Sequence, residues 1–333
     1  MADWAALQND VIGIIIKKLA IPDYLRFRAV CTSWNHACRD MSYRPRVDPW
    51  LMFRPNSEDG AKFFCVPERK NQIIRLPTTV SLFGSVWAPV GSSYGWVIYF
   101  SQTYGTMQLV NPISGEQIQL PTIGRKVVSK ALLLEMNERN FTVVVLYGDQ
   151  KGYKVTRKGY TNWSSVESKD ILVDIIKHRG HLYTCDVNGT VEVWAEPPRA
   201  WPSEEAMLMP QWRFCCLVEI PAGDLIRVQR QGANKFSVWI LDKGTSSWVE
   251  IDNIGDVALF VGHYSSVCFP AKDHPNLKAN CIYFIDNHNN LCAFNLENGT
   301  KELVETLAIG PVRNEYHRRP QREQVIWFIP SLK

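Results

Sequence analysis

Leu109-Val110-Asn111-Pro112-Ile113-Ser114-Gly115-Glu116-Gln117-Ile118-Gln119-Leu120-Pro121 is the stretch on which the fold of this chain turns. An apolar strand runs into a turn of Asn, Pro, Ser and Gly, and a short alternating strand returns from it and stops at Leu-Pro. The same grammar recurs at Trp239-Ile240-Leu241-Asp242-Lys243-Gly244-Thr245-Ser246-Ser247-Trp248-Val249-Glu250-Ile251. It appears again at Ala293-Phe294-Asn295-Leu296-Glu297-Asn298-Gly299-Thr300-Lys301-Glu302-Leu303. Each copy reads as one hairpin of a four-stranded sheet, and a repeated sheet is the signature of a propeller.

Working outward, the pattern from about residue 47 is one of short β-rich runs between turn residues. The clearest are Trp96–Phe100, Thr142–Tyr147, Thr190–Trp194, Phe236–Ile240, Cys281–Ile285 and Val325–Ile329. No helix-period segment of comparable length interrupts them. Asn188-Gly189 and Asn298-Gly299 supply the positive φ angles of tight hairpins. A blade takes on the order of 40 to 50 residues, so the remaining ~285 make about six. Periodicity alone does not separate a propeller from a large sandwich. Trp50-Leu51-Met52-Phe53 and Val325–Ile329, at the two ends of this region, are both strand-like and are expected to pair and close the ring.

Residues 1–42 obey a different rule. Val11, Ile15 and Leu19 repeat every four positions, Ile12 and Ile16 form a neighbouring stripe, and Ile14 widens it, with Asn9 placed to cap the helix. Pro22 suits the first turn of a second helix through Tyr24, Leu25, Phe27 and Val30, and Asp23 favours its positive end. Thr32 or Ser33 starts a third helix ahead of Trp34. A chain of about 40 residues rarely buries enough surface to stand without a disulfide, a metal or a partner. Leu7, Val11, Ile12, Ile14, Ile15, Ile16, Leu19, Leu25 and Val30 are more apolar surface than three short helices hide, so some of it meets another protein or the following domain.

Composition narrows the function classes. With 46% hydrophobic residues and 11% aromatics in 333 residues, the chain builds a sizeable core. A formal charge of +4, dispersed along the sequence, argues against nucleic acid as a partner, and the Arg318-Arg319-Pro320-Gln321-Arg322 cluster reads as a solvated loop. Val11–Ile16 is far short of a membrane span, and Asp3 and Asp10 stand where a signal peptide carries positive charge, so no membrane is expected and the chain is expected to stay inside the cell. Nine cysteines, with no Cys-x-x-Cys pair, read as thiols in a reducing compartment rather than as a disulfide frame or a metal site.

These two regions together resemble the plant F-box proteins that carry a KIB-type β-propeller domain. In the first region the resemblance rests on Leu7, Asp10, Val11, Ile15, Leu19, Asp23, Leu25, Arg26, Arg28, Val30, Cys31 and Trp34. It departs at Gln8, where most F-boxes have the proline of a Leu-Pro opening. In the second it rests on Gly91-Ser92-Ser93-Tyr94-Gly95-Trp96, Leu109–Pro112 through Leu120-Pro121, Asn280–Phe284, Phe294–Gly299, Trp248–Glu250 and Gly255–Gly262. The resemblance implies a mainly β chain, with a three-helix F-box at 1–42 followed by a substrate-binding propeller of about six blades at 47–333. The role implied is a non-catalytic adaptor of a Skp1, cullin and F-box ubiquitin ligase, found in the nucleus, the cytoplasm or both. A Skp1-like protein, and through it a cullin, and an unidentified protein substrate are the partners; no cofactor and no metal are implied. Leu7, Val11, Ile12, Ile15, Leu19, Leu25 and Val30 are expected to contact Skp1, with Cys31 and Trp34 supporting the helix packing.

Three further motifs compete with that reading. Gly91–Gly95 matches G-x-S-x-G, in which Ser93 is the nucleophile, but the elbow needs a helix after it and Trp96–Phe100 is a strand. His178 and His181 stand three apart, yet no cluster supplies the further ligands zinc needs. Glu196–Pro202, running on to Met207, Met209 and Trp212, is the least strand-like segment of the propeller. Trp201, Met207, Met209 and Trp212 are the candidates for touching substrate, against an inter-blade connection. The rival function is a propeller hydrolase or carbohydrate-binding lectin with a helical oligomerisation segment, which needs converging carboxylates or metal ligands in the channel.

Overall fold

The computed structural model describes residues 4–39, 43–53, 60–76, 87–137, 140–147, 151–195, 199–200, 214–232, 235–242, 244–245, 247–274, 276–307 and 325–332. The chain divides into two compact units, Met1–Asp48 and Pro49–Lys333.

The first unit holds three helices, α1 (Asn9–Lys18), α2 (Ile21–Arg28) and α3 (Thr32–Arg39), after a single 3₁₀ turn at Trp4–Ala6. Asn9 is not the cap of α1. It is already helical, and the extended Gln8 before it makes no side-chain bond to the helix. Pro22 sits in the first turn of α2 as its fixed φ favours. The helix α3 is capped by Cys31, whose sulfur accepts the Trp34 N–H at 3.5 Å. Ile12 and Ile16, one turn apart, pack with Tyr24, Phe27, Ala37 and Cys38. Phe27 and Trp34 stack with centroids 4.2 Å apart, and the Tyr24 hydroxyl donates to the Cys38 carbonyl at 2.8 Å. Glycine in mid-helix costs about 1 kcal/mol relative to alanine. Here a Cβ on Gly13 would lie 2.3 Å from the ring of Tyr43, so the missing side chain is what admits that ring.

The second unit is a propeller. Its blade one is Trp50–Phe53, Ala61–Cys65 and Lys70–Ile74, completed by Val325–Phe328 from the far end of the chain. Blade two runs Trp87–Ser93, Trp96–Ser101, Thr106–Val110, Gln117–Gln119 in simple meander order. Next comes a seven-stranded sheet that does duty for two blades. Val128–Met136, Phe141–Tyr147 and Lys151–Arg157 lead into one strand of 15 residues, Ser164–His178. Up to Ile171 that strand pairs back onto Lys151–Arg157 as the outer edge of blade three. From Leu172, past an irregularity before Asp174, it pairs forward onto His181–Asp186 as the first strand of blade four, which continues through Val191–Ala195 and Arg199–Ala200. Blade five is Cys215–Glu219, Leu225–Gln231, Lys235–Leu241 and Trp248–Ile251. Blade six breaks the meander. Val257–Phe260 pairs antiparallel with Val267–Pro270 and parallel with Cys281–Ile285, before Asn290–Asn295 and Lys301–Thr306 complete the sheet.

The three quoted hairpins are the last two strands of blades two, five and six. They share one device. Asn111, Asp242 and Asn295 each donate their N–H to a carbonyl five residues on, at 2.9 Å in every case. Each also turns its side-chain oxygen onto backbone N–H groups of the turn: Ile113 and Ser114, Gly244, and Asn298. An Asx side chain that mimics the backbone lets the chain reverse at a fixed length, which is why the repeat was visible in sequence. Gly189 and Gly299 do adopt positive φ, whereas Asn188 and Asn298 do not, so these are wider turns than a two-residue hairpin. Asp286 works the same way between the middle strands of blade six, accepting from the N–H of His288 and of Asn290, both at 2.9 Å, and from Lys301 Nζ.

Sheets meet along the strands at their inner ends: Val325–Phe328 against Trp87–Ser93, that strand against Val128–Met136, Ser164–His178 against Val128–Met136 and Cys215–Glu219, and the last against Val267–Pro270. An inner strand has a ladder partner on one side only. Its other edge is satisfied from neighbouring blades. The Trp327 carbonyl accepts hydroxyls from Ser92 of blade two and, at 2.7 Å, Ser265 of blade six. Asp174 pairs with buried Lys130 of blade three, takes the Ile175 N–H at 2.7 Å, and takes the Leu217 N–H of blade five at 2.6 Å.

Two outcomes follow. Val325–Phe328 is buried throughout and pairs residue for residue with Phe53–Trp50, so Trp327→Ala should cost about 3–5 kcal/mol in a denaturant titration, and deletion of residues 324–333 more. Burial raises the pKa of Asp286, but the bonds from Lys301, Asn290 and His288 outweigh it and hold the carboxyl well below the usual range. A depressed folded-state pKa stabilises above the unfolded value near 4 and is lost as pH falls below it. The acid limb of the stability curve, measured between about pH 5 and 2, should flatten in Asp286→Asn.

Candidate docking surface

Along α1 the inward stripe, Ile12 and Ile16, alternates with an outward one. Val11 and Ile14, three apart and therefore neighbours on the helix surface, are 41% and 59% exposed. Leu25 on α2 is 38% exposed, Val30 just after it 61%, and Trp4 66%. Trp4 is held in place through its carbonyl, which accepts the indole N–H of Trp34 at 2.9 Å. Leu7, Ile15, Leu19 and Trp34 are half-buried and pack against the rim of the core. Cys31 is half-buried at its capping position. In a monomer, branched aliphatic side chains in this number are normally turned inward; left outward on one small unit they mark a contact surface.

Of the residues expected to contact a partner, Val11, Leu25 and Val30 are on the surface, and Leu7, Ile15 and Leu19 border it. Ile12 is not available. It is 0% exposed in the unit's own core, because Ile12 and Ile16 rather than Ile12 and Ile15 face Tyr24 and Phe27. Trp4 and Ile14 are exposed as well, outside the expected contact set. Ile14 was recoverable from its three-residue spacing to Val11, whereas nothing in the pattern around Trp4 shows that it lies outside.

The propeller motifs resolve differently. Ser93 ends a strand, pairs with Trp96 that opens the next, and is separated from it by Tyr94 and Gly95 at φ 54° and 80°. Two consecutive left-handed residues make a tight hairpin, not a strand-to-helix elbow. The Ser93 hydroxyl is buried with no hydrogen-bond partner, and so no base, among the described residues. The small residues answer to packing: a Cβ on Gly91 would lie 1.8 Å from the Ala131 carbonyl oxygen of the next blade. His178 and His181 face each other across the strand pair that they close, and buried His178 Nδ1 lies 3.0 Å from Glu219 Oε2. Among the described residues no group of three or more His, Cys, Asp or Glu is placed to hold a metal. Trp201, Met207, Met209 and Trp212, the candidates for substrate contact, lie outside the described residues, as does the 318–322 basic cluster.

A helical unit that leaves apolar surface uncovered, on a chain whose remaining length is a propeller, is the architecture of an F-box protein of the propeller class. Residues 4–46 match the F-box domain and residues 49–295 the KIB1-4 beta-propeller. The chain belongs to the KIB1-4 β-propeller family, in its F-box-bearing form. It is similar to the F-box protein At2g05970 of Arabidopsis thaliana, with 23% identity over 85% of this chain and 84% of that one. It is also similar to the putative F-box protein At4g17565 (23%, over 99% and 95%) and the F-box/kelch-repeat protein At1g57790 (23%, over 94% and 96%) of the same plant. An F-box implies a Skp1-like partner and an adaptor role in general terms.

The hairpin reading of Gly91–Gly95 separates two substitutions. Ser93→Ala removes an unsatisfied hydroxyl and should leave stability unchanged or slightly raised, with no labelling of wild type by a serine-reactive fluorophosphonate. Gly91→Ala forces a methyl group into the next blade's backbone and should cost about 1–3 kcal/mol in the same denaturant assay.

Proposed function

We propose that this chain is the substrate receptor of a Skp1, cullin and F-box ubiquitin ligase. Its helical unit docks on a Skp1-like subunit, and its propeller holds the protein to be ubiquitinated. The observation that carries the reading is the uncovered set Trp4, Val11, Ile14, Leu25 and Val30 on a unit whose own core is already filled. Helices that associate through such a set gain roughly 25 cal/mol for each Å² of apolar surface removed from water, and the polar flanks contribute register more than affinity.

The chain's work in this reading is to raise the effective concentration of one protein beside a ubiquitin-charged enzyme, and it performs no bond chemistry itself. The substrate is a protein, recognised by loops of the propeller, and the assembly acts in the nucleus or cytoplasm. Val11→Asp with Val30→Asp places charge on exposed positions and should abolish co-purification with a Skp1-like protein while the melting temperature stays within a few degrees. Ile12→Asp should instead unfold the helical unit, since it buries an unpaired carboxylate. Undiminished capture of the Skp1-like protein by the double variant would end the proposal.

A further inference from the structure

The junction of blades four and five carries two cysteines whose sulfurs lie 3.0 Å apart, about 1 Å more than a disulfide bond. Cys185 is near the end of His181–Asp186 and Cys215 opens Cys215–Glu219; both are buried, in one apolar cluster with Leu217 and Leu225. The approach is fixed by backbone. Cys185 pairs with Asp174 on one side and Val191 on the other, and Cys215 pairs with Gln229. Asp174 in turn accepts the Leu217 N–H at 2.6 Å, two residues from Cys215, so the carboxylate that sits opposite one cysteine anchors the strand of the other. Two sulfurs held at this separation, each on a strand fixed in its own sheet, are within about 1 Å of bonding distance.

We propose that Cys185 and Cys215 are a covalent cross-link site, joined by peroxide oxidation into a disulfide that staples blade four to blade five. Cys215 is the more exposed of the two, at 8% against 0%, and hydrogen peroxide is a small, uncharged oxidant. The Cys215 sulfur bonds to one peroxide oxygen, the O–O bond breaks, and water leaves behind a sulfenic acid. The Cys185 sulfur then displaces the hydroxyl: the S–O bond breaks, the S–S bond forms, and the thiol proton departs with the hydroxyl as a second water. Two thiols lose two hydrogens and one peroxide becomes two waters. The hydrogen bond to Cys215, burial and the charge of Asp174 hold the Cys185 thiol well above its usual range, and nearby Arg227 offsets this only in part.

The test uses the full-length chain, incubated with excess hydrogen peroxide, alkylated, and digested without reduction. Peptide mapping should find Cys185 joined to Cys215, with fragment ions excluding Cys216, two hydrogens lighter than the separate peptides and released by dithiothreitol. The melting temperature of the oxidised protein should rise by about 5 °C. Cys215→Ala should lose both the cross-link and the shift, and Cys216→Ala should keep them. Alkylated thiols at both positions, sulfinic acid at Cys215 with free Cys185, or a bond from Cys185 to any other cysteine would each overturn the proposal. Wild-type mapping decides the matter even where a variant fails to fold.

Discussion

A ring of sheets needs its last blade to meet its first, and here the pairing of Val325–Phe328 with Trp50–Phe53 satisfies that need. The terminal segment is placed innermost in blade one, so strands separated by almost the whole chain share a ladder. Trp50, Phe63 and Phe328 then pack mutually, with centroids 5.4 to 6.2 Å apart. Without this seam blade one would show the open edge of Trp50–Phe53, and the blade-six side chains that pack on Val325 and Trp327 would be wet. The arrangement also sets where stability resides, because cooperative closure makes each blade's packing conditional on the others.

Closure creates a second obligation. The inner strands have one free edge each, turned toward the axis, where unpaired backbone groups are costly once buried. Serine hydroxyls meet the Trp327 carbonyl, and the Tyr94 hydroxyl meets Leu134 at 3.0 Å. Asp174 gathers partners from three blades. A buried ion pair such as Lys130 with Asp174 adds little net stability over an apolar pair, but removing one partner leaves an uncompensated charge at a cost of about 3–5 kcal/mol. Its contribution is to specify which strands are neighbours. Arg227 is a second case: buried between Trp239 and Trp248, its guanidinium carbon 4.3 and 5.3 Å from their centroids, it donates to the Gly189 carbonyl of the preceding blade.

Much of this was legible in the sequence, and what was legible had local causes. The Asx turns after Val110, Leu241 and Phe294 announce themselves because one side chain dictates the reversal. The terminal seam was readable because both partners are short, apolar and strand-like. Helix α1 was readable by its period, but its inward stripe was not, since Ile12, Ile14, Ile15 and Ile16 cover most of its girth and only the position of Tyr24 and Phe27 decides among them. The Cys31 cap escaped because sulfur is a weak acceptor. Nor could periodicity foresee the parallel pair in blade six, which depends on a connection from Phe260 to Cys281 that carries its own strand and a 3₁₀ turn at Ala271–Asp273. Which side chains line the propeller's loops is a matter of tertiary placement, and no local rule encodes it.

The strand Ser164–His178 belongs to two blades at once, and that has a consequence for how the propeller breathes. Blades two and three, and blades five and six, are joined by described connections that can loosen while each sheet stays whole. Between blades three and four there is no connection to loosen, only a continuous backbone whose halves are bonded in opposite directions. Opening either half strains the other, so amides on Lys151–Arg157 and on His181–Asp186 should exchange with solvent as one cooperative block, even though they lie in different blades. A load applied across these two blades would then be carried by one continuous strand and not by a loop.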